Sequence, residues 1–206
     1  MRRTVLDPRL LNLACAAGAT LETGFQASDL LRHNGRVIGV RGRACGHWAE
    51  RRAELVVGAD GRASVIAARL GGRWPHPWLD RMAWVGYLEG LPREVAYGEI
   101  FQAADRSAIL NPIGPGLTNV GIVTPWKHAD VSGAGAAAFT RLATGTPGLG
   151  ARIGPKARVC QVRRLGPLAF RPARLSAPGV ILVGDASGFL DPIEGKGFLR
   201  RCAVPN

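Results

Sequence analysis

The sequence predicts an α/β chain interrupted by a strand-rich middle, and three observations predict it. Residues 54–61 and 180–185 are short apolar runs of β-type residues that each end in a Gly/Asp turn. Residues 7–17 and 64–70 carry apolar side chains at helical spacing. Between about 74 and 164 proline and glycine punctuate one short β-type run after another.

In chain order, Asp7 through Ala17 reads as a helix. Asp7 suits an N-cap and Pro8 a first helical position, while Leu10, Leu11, Leu13, Ala14 and Ala17 form the apolar stripe. Gly18 stops it. Residues 19–31 alternate like a strand, Asn34-Gly35 marks a tight hairpin, and 36–43 returns as the second strand. Residues 54–61 form a short buried strand and turn, followed by a helix from Ser64 that stops at Gly71-Gly72. In the middle, runs at 83–88, 95–102, 107–112 and 118–123 predict an antiparallel meander. The turn Pro112-Ile113-Gly114-Pro115-Gly116 separates the last two. Residues 134–142 read as a helix, and from Val180 the α/β character resumes.

Composition narrows the function classes. A 47% hydrophobic fraction over 206 residues is enough for a core. No apolar run is long enough to span a bilayer, and the first residues lack a signal-peptide core, so the expectation is a soluble, cytoplasmic protein with no transmembrane segment. Peripheral membrane contact and oligomeric state stay open. Cys15, Cys45, Cys160 and Cys202 form no C-x2-C pair, which argues against a metal site and a disulfide framework. The net charge of +12 is carried almost wholly by arginine, since Lys127, Lys156 and Lys196 are the lysines. Those arginines are scattered, so no nucleic-acid partner is expected, although a basic surface would attract a cofactor's phosphates.

The densest pattern is Gly184-Asp185-x6-Pro192-x2-Gly195-x-Gly197, entered from the apolar run Val180-Ile181-Leu182-Val183. A strand ending at Gly-Asp places a carboxylate at the sheet edge where open α/β folds hold ligands. The glycines after it admit close backbone approach. This spacing resembles the flavin-contacting motif of the FAD-dependent oxidoreductases that comprise aromatic hydroxylases (flavin monooxygenases) and geranylgeranyl reductase-like enzymes. Gly184-Asp185-Ala186-Ser187-Gly188-Phe189 is most similar to the reductase-like branch, and Gly188 stands where hydroxylases commonly carry His. Two further segments match in the right order: Arg3-Thr4-Val5-Leu6-Asp7 before a helix ending at Gly18-Ala19, and Val57-Gly58-Ala59-Asp60-Gly61-Arg62-Ala63-Ser64.

The resemblance implies an incomplete Rossmann-like FAD-binding domain, in pieces 1–73 and 165–206, interrupted by an antiparallel β-rich substrate domain at 74–164. It implies FAD as cofactor, NAD(P)H as co-substrate, and an apolar or aromatic small-molecule substrate that is hydroxylated or reduced at an alkene. It names no catalytic side chain. The family's opening strand, its G-x-G-x-x-G and the acidic residue that follows have no counterpart here, and Leu199 stands where the family often carries Asn. The expectation is therefore a truncated fragment. Its alternatives are a non-catalytic remnant that binds no flavin and a basic interaction module.

Individual residues carry two readings each. By resemblance Asp185, presented by Gly184, accepts a hydrogen bond from the ribityl chain; otherwise it is a helix cap. Pro192, Gly195 and Gly197 shape the loop along the isoalloxazine ring, or are turn residues. Asp60 and Gly61 lie near the pyrophosphate and the nicotinamide path, or are a common Asp-Gly turn. The family's helix arginine there is replaced by Ala67 and Ala68, with Arg69 next. Arg3 points into the flavin site, or is solvated. His33, His47, His76 and His128 form no ligand pattern, and Ser64 and Ser187 lack a nucleophile elbow. Trp74, Trp78, Trp84 and Trp126 are expected in the core or lining an apolar pocket.

Overall fold

The structure, a computed structural model, describes residues 3–91, 97–126 and 135–190. In chain order the elements are α1 (Arg3–Ala16), β1 (Phe25–His33), β2 (Arg36–Ala44), β3 (His47–Arg52), β4 (Val56–Gly58), α2 (Val65–Arg69), β5 (Arg73–Pro75) and β6 (Arg81–Glu89). They continue as β7 (Glu99–Gln102), β8 (Ser107–Gly114), β9 (Leu117–Pro125), α3 (Ala136–Thr144), α4 (Leu149–Ile153), β10 (Arg158–Leu165), β11 (Phe170–Pro172), β12 (Ser176–Ala177) and β13 (Val180–Leu182), closing on a 3-10 turn at Gly184–Ser187. The chain is mixed α/β and rich in strands. It divides into two compact units, residues 1–17 with 79–168 and residues 18–78 with 169–206.

The first unit is built on an antiparallel sheet of order β10-β6-β9-β8-β7. Its strands are joined in sequence from β7 to β9, the meander that the turn-punctuated runs predict. The sheet's core joins Trp84, Leu88, Leu110, Val120 and Ile122 to Phe139 and Leu142 of α3, with Leu149 and Ile153 of α4. Gly86 is the contact that lets α3 settle, because a Cβ there would run into the Phe139 ring. β10, unpredicted from sequence, reads Arg-Val-Cys-Gln-Val-Arg-Arg-Leu and stays largely exposed, so no apolar alternation marks it. α1 begins at Arg3 rather than Asp7. The Arg3 Nε donates to Asp7 Oδ1 at 2.6 Å one turn later, and Pro8 lies inside the helix. No residue of α1 is buried, so the apolar stripe at Leu10, Leu11 and Leu13 is exposed.

The second unit holds the antiparallel sheet β1-β2-β3, the two-stranded β11-β5, and a three-stranded sheet β12-β13-β4. Asn34 and Gly35 both take positive φ, at 48° and 76°, the pair of left-handed residues that a two-residue hairpin turn needs. Cys45 and Gly46 do the same at 49° and 84°, turning β2 into β3. β1 starts at Phe25, so residues 19–24 are not the strand their alternation predicts. In the third sheet β13 runs parallel to β4, pairing Val180 with Val56, Ile181 with Val57 and Leu182 with Gly58. Val180 and Leu182 pack with Ile66, Ala67 and Leu70 of the α2 region and with Ala186. Gly58 makes this packing fit: a Cβ there would lie 2.7 Å from Leu182 Cδ2 and 3.0 Å from Ile66 Cβ.

Tryptophan burial departs from expectation. Trp84 is fully buried in the first unit's core, whereas Trp74, Trp78 and Trp126 are exposed.

Candidate functional site

The parallel pair β4–β13 fixes where the two Gly/Asp turns go. Asp60 follows Gly58 by two residues and Asp185 follows Leu182 by three, so both leave the same carboxyl end of one sheet. In open α/β sheets ligands are held at that end of the strands. The turns are joined by backbone, since Val183 N–H donates to Gly58 O at 2.9 Å.

The two carboxylates are used differently. Asp60 Oδ1 accepts from Ser64 Oγ at 2.6 Å, and Asp60 Oδ2 accepts from Val65 N at 2.7 Å and Ile66 N at 3.3 Å. Ser64 Oγ in turn accepts from Ala67 N at 2.9 Å. Asp60 and Ser64 together satisfy the free donors at the start of α2. Asp185 is half-buried in the 3-10 turn, where Ser187 Oγ donates to Gly184 O at 2.7 Å and Gly188 N to Asp185 O at 3.4 Å.

The backbone at the two turns is uncrowded. Gly184 and Gly61 have φ of 60° and 77°, and a Cβ on either would meet nothing within 4 Å. Backbone at both turns is therefore open to close approach by a ligand such as FAD. Gly188, at φ 118°, is closed instead: a Cβ there would lie 3.1 Å from Phe170 O. Phe170 and Phe189 exchange backbone hydrogen bonds of 2.8 and 3.0 Å across that approach.

Of the remaining predicted residues, Pro192, Gly195 and Gly197 lie outside the described residues. Arg3 sits at the start of α1 in the first unit, paired with Asp7 and largely exposed, whereas Asp60, Gly61, Gly184 and Asp185 lie in the second. Among the described residues no cluster of His, Cys, Asp and Glu suits a metal ion, and no helix is long and apolar enough to cross a membrane.

Sequence reasoning missed a group beside Asp185. The Arg62 guanidinium lies 5.0 Å from the Phe170 ring centroid and 5.1 Å from that of Phe189. Arg73 lies 5.2 Å from Phe170 and donates to the Arg62 carbonyl. Desolvation pulls the Arg62 guanidinium below its ordinary pKa; the field of Asp185 opposes this and the like charge of Arg73 adds to it. Arg62 directly follows the Asp60-Gly61 turn, and Phe189 belongs to the Gly184-Asp185 run. Phe170 carries no sequence signal at all, because pairing across that distance has no local signature.

Comparison with known proteins agrees with this geometry. No family model matches the chain. It is 30% identical over 213 residues to the digeranylgeranylglycerophospholipid reductase of Methanothrix thermoacetophila, an alignment covering 97% of this chain and 51% of that protein. The chain is a homologue of the digeranylgeranylglycerophospholipid reductases. It spans about half the length of the curated reductases it matches. Among solved structures, the myxobacterial chondrochloren halogenase CndH, an FAD-dependent halogenase, superposes with a TM-score of 0.84 at 26% identity, over 93% of this chain and 46% of CndH. A geranylgeranyl bacteriochlorophyll reductase-like protein from Thermoplasma acidophilum superposes at 0.69 with 22% identity, over 88% of this chain and 46% of that one, a likeness of fold. Reductase homologues and flavin-dependent neighbours make the resemblance one to FAD-dependent enzymes.

Proposed function

We propose that the chain is the flavin-contacting part of an FAD-dependent oxidoreductase of the alkene-reducing type. It would act on an apolar small molecule with NAD(P)H as co-substrate, in the cytoplasm. The observation that carries the reading is the placing of Asp185 and the Asp60-Gly61 turn at the carboxyl ends of adjacent parallel strands. Homology along nearly the whole chain to reductases favours reduction over hydroxylation. A glycerophospholipid substrate, as those relatives' name specifies, would bring the protein into peripheral contact with a membrane surface.

In this reading residues 1–73 and 165–206 belong to an interrupted Rossmann-like FAD domain, and residues 74–164 to the substrate domain. The chemistry FAD supplies when bound is two-electron transfer from NAD(P)H to a carbon–carbon double bond. The chain's own residues bind and orient. Asp185 would accept a hydrogen bond from a ribityl hydroxyl, Gly184 and Gly61 would present bare backbone to the cofactor, and Asp60 holds its turn by capping α2.

Titrating the purified chain with FAD and following flavin fluorescence tests this. Saturable quenching is expected with a dissociation constant above about 10 µM, near −7 kcal/mol, because no G-x-G-x-x-G grips the ADP half. No quenching up to about 1 mM would leave the chain a remnant that binds no flavin.

A further inference from the structure

We propose that Arg62 is the positioning residue of this site. Its guanidinium, lying over both the Phe170 and Phe189 rings, ties the Asp60-Gly61 turn to the Gly184–Phe189 segment and keeps the Asp185 carboxylate where a ligand hydroxyl can reach it. That the ligand is a flavin rests on the function proposed above; the positioning does not.

Asp185 stands in a four-residue 3-10 turn in which Ser187 Oγ donates to Gly184 O and Gly188 N makes a long 3.4 Å bond to Asp185 O. Such a turn is weak on its own, since 3-10 hydrogen bonds are poorly aligned. The restraint comes from the two rings over which Arg62 lies. Phe189 is locked to Phe170 by two backbone bonds, and Gly188 lets the chain come that close because a Cβ would crowd Phe170 O at 3.1 Å. Phe170 is itself buried and paired in β11 with β5. A flat guanidinium about 5 Å from both ring centroids therefore has two fixed faces to sit against.

Arg62 is held from the other side as well. Arg73 donates to its backbone carbonyl and lies over the same Phe170 ring. Gly61, at φ 77°, is the turn that launches Arg62 from the end of β4 toward the end of β13. The guanidinium is half-buried and lies in the field of Asp185, so the attraction between them is less screened than at an open surface. Lysine would carry the charge without the plane, and a pair of ring faces discriminates between the two.

The test uses the 206-residue chain and two readouts. Backbone hydrogen exchange, measured without ligand, reports on residues 184–189. Arg62→Met is expected to raise exchange there roughly tenfold, with Arg62→Lys and Phe189→Leu in between and β6–β9 unchanged. FAD titration is then run on wild type, Arg62→Met, Asp185→Asn and the double variant. Asp185→Asn should weaken binding in the wild-type background and cost little more once Arg62 is gone.

Faster exchange at 184–189 together with that loss of additivity supports the proposal. Unchanged exchange at 184–189 overturns it, whether or not flavin binds. Equal costs of Asp185→Asn in both backgrounds overturn it too, because Arg62 then acts on something other than the carboxylate. If the wild-type chain binds no FAD, the flavin reading fails separately, and exchange at 184–189 alone decides the role of Arg62. Should Arg62→Met fail to fold, Phe189→Leu and Arg62→Lys make the same comparison.

Discussion

Gly58 and Leu182 are parallel-strand partners, and the turn that follows each one carries an aspartate, Asp60 and Asp185. One sheet edge thus presents two carboxylates of the same residue type with different work. Asp60 accepts three hydrogen bonds from the start of α2, and Asp185 stands in a short turn beside an open glycine.

Substituting each aspartate should separate stability from binding. Asp60→Ala removes the cap of α2 and is expected to cost about 1–2 kcal/mol of stability, read as a lower urea midpoint. Asp185→Ala should weaken FAD binding roughly tenfold to a hundredfold, whereas Asp60→Ala should not. Equal effects of the two variants on both quantities would reduce Asp185 to a second cap.

A ligand series checks which half of the cofactor the chain holds. FAD, FMN and riboflavin share the ribityl chain and ring system, and the chain carries no G-x-G-x-x-G for the ADP moiety. Their dissociation constants are expected to agree within about threefold, under 0.7 kcal/mol. A preference for FAD of more than about 30-fold would show that the ADP half is gripped by other residues.

In the first unit, Gly86→Ala should destabilise by about 1–3 kcal/mol, since the new methyl meets the Phe139 ring in a closed core. Adding Phe139→Leu should recover part of the loss. Emission from Trp84, fully buried on the same strand, follows the melting. An unchanged midpoint for Gly86→Ala would mean α3 is free to shift.

Acid titration has a local reporter in Glu22. The hydrogen bond from Arg51, 2.8 Å from Nε to Glu22 Oε2, holds its carboxyl below the usual range, with the charge of Arg51 adding to the effect. A carboxyl depressed in the folded state contributes stability that is fully present above its unfolded value of about 4.3 and is lost as pH falls through the lower folded value. A carbon-13 titration should place Glu22 below 4.3 at low ionic strength, and Arg51→Met should return it. An unshifted Glu22 in the native chain would contradict the pairing.

Local chemistry was legible in the sequence, and distant pairing was not. Asn34-Gly35 announces its hairpin because asparagine tolerates the left-handed region, whereas Cys45-Gly46 makes the same turn without that signal and β3 went unpredicted. β10 was hidden by its arginines. The helix stripe at Leu10, Leu11 and Leu13 predicted α1 but not its lack of burial. At the site, both aspartates and their glycines could be named from spacing, since strand-end turns are local. That Asp60 is engaged by α2 follows from Ser64 four residues on, a cap visible in principle. The ring pair over which Arg62 lies brings residue 170 to residue 189 and both to residue 62, and no one-dimensional pattern encodes that meeting.

The short strand β4 has a further effect on how the chain behaves as a substance. It ends the order β12-β13-β4, so its outer row of N–H and C=O groups has no strand beside it among the described residues, and Val57 and Ile181, paired across the sheet, are 52% and 39% exposed. A strand edge with no paired strand among the described residues, next to apolar side chains, is a template on which another chain can add a strand. The net charge of +12 opposes that pairing, because mutual repulsion keeps copies apart in dilute buffer. Added salt shortens the range of that repulsion and lets the edges meet.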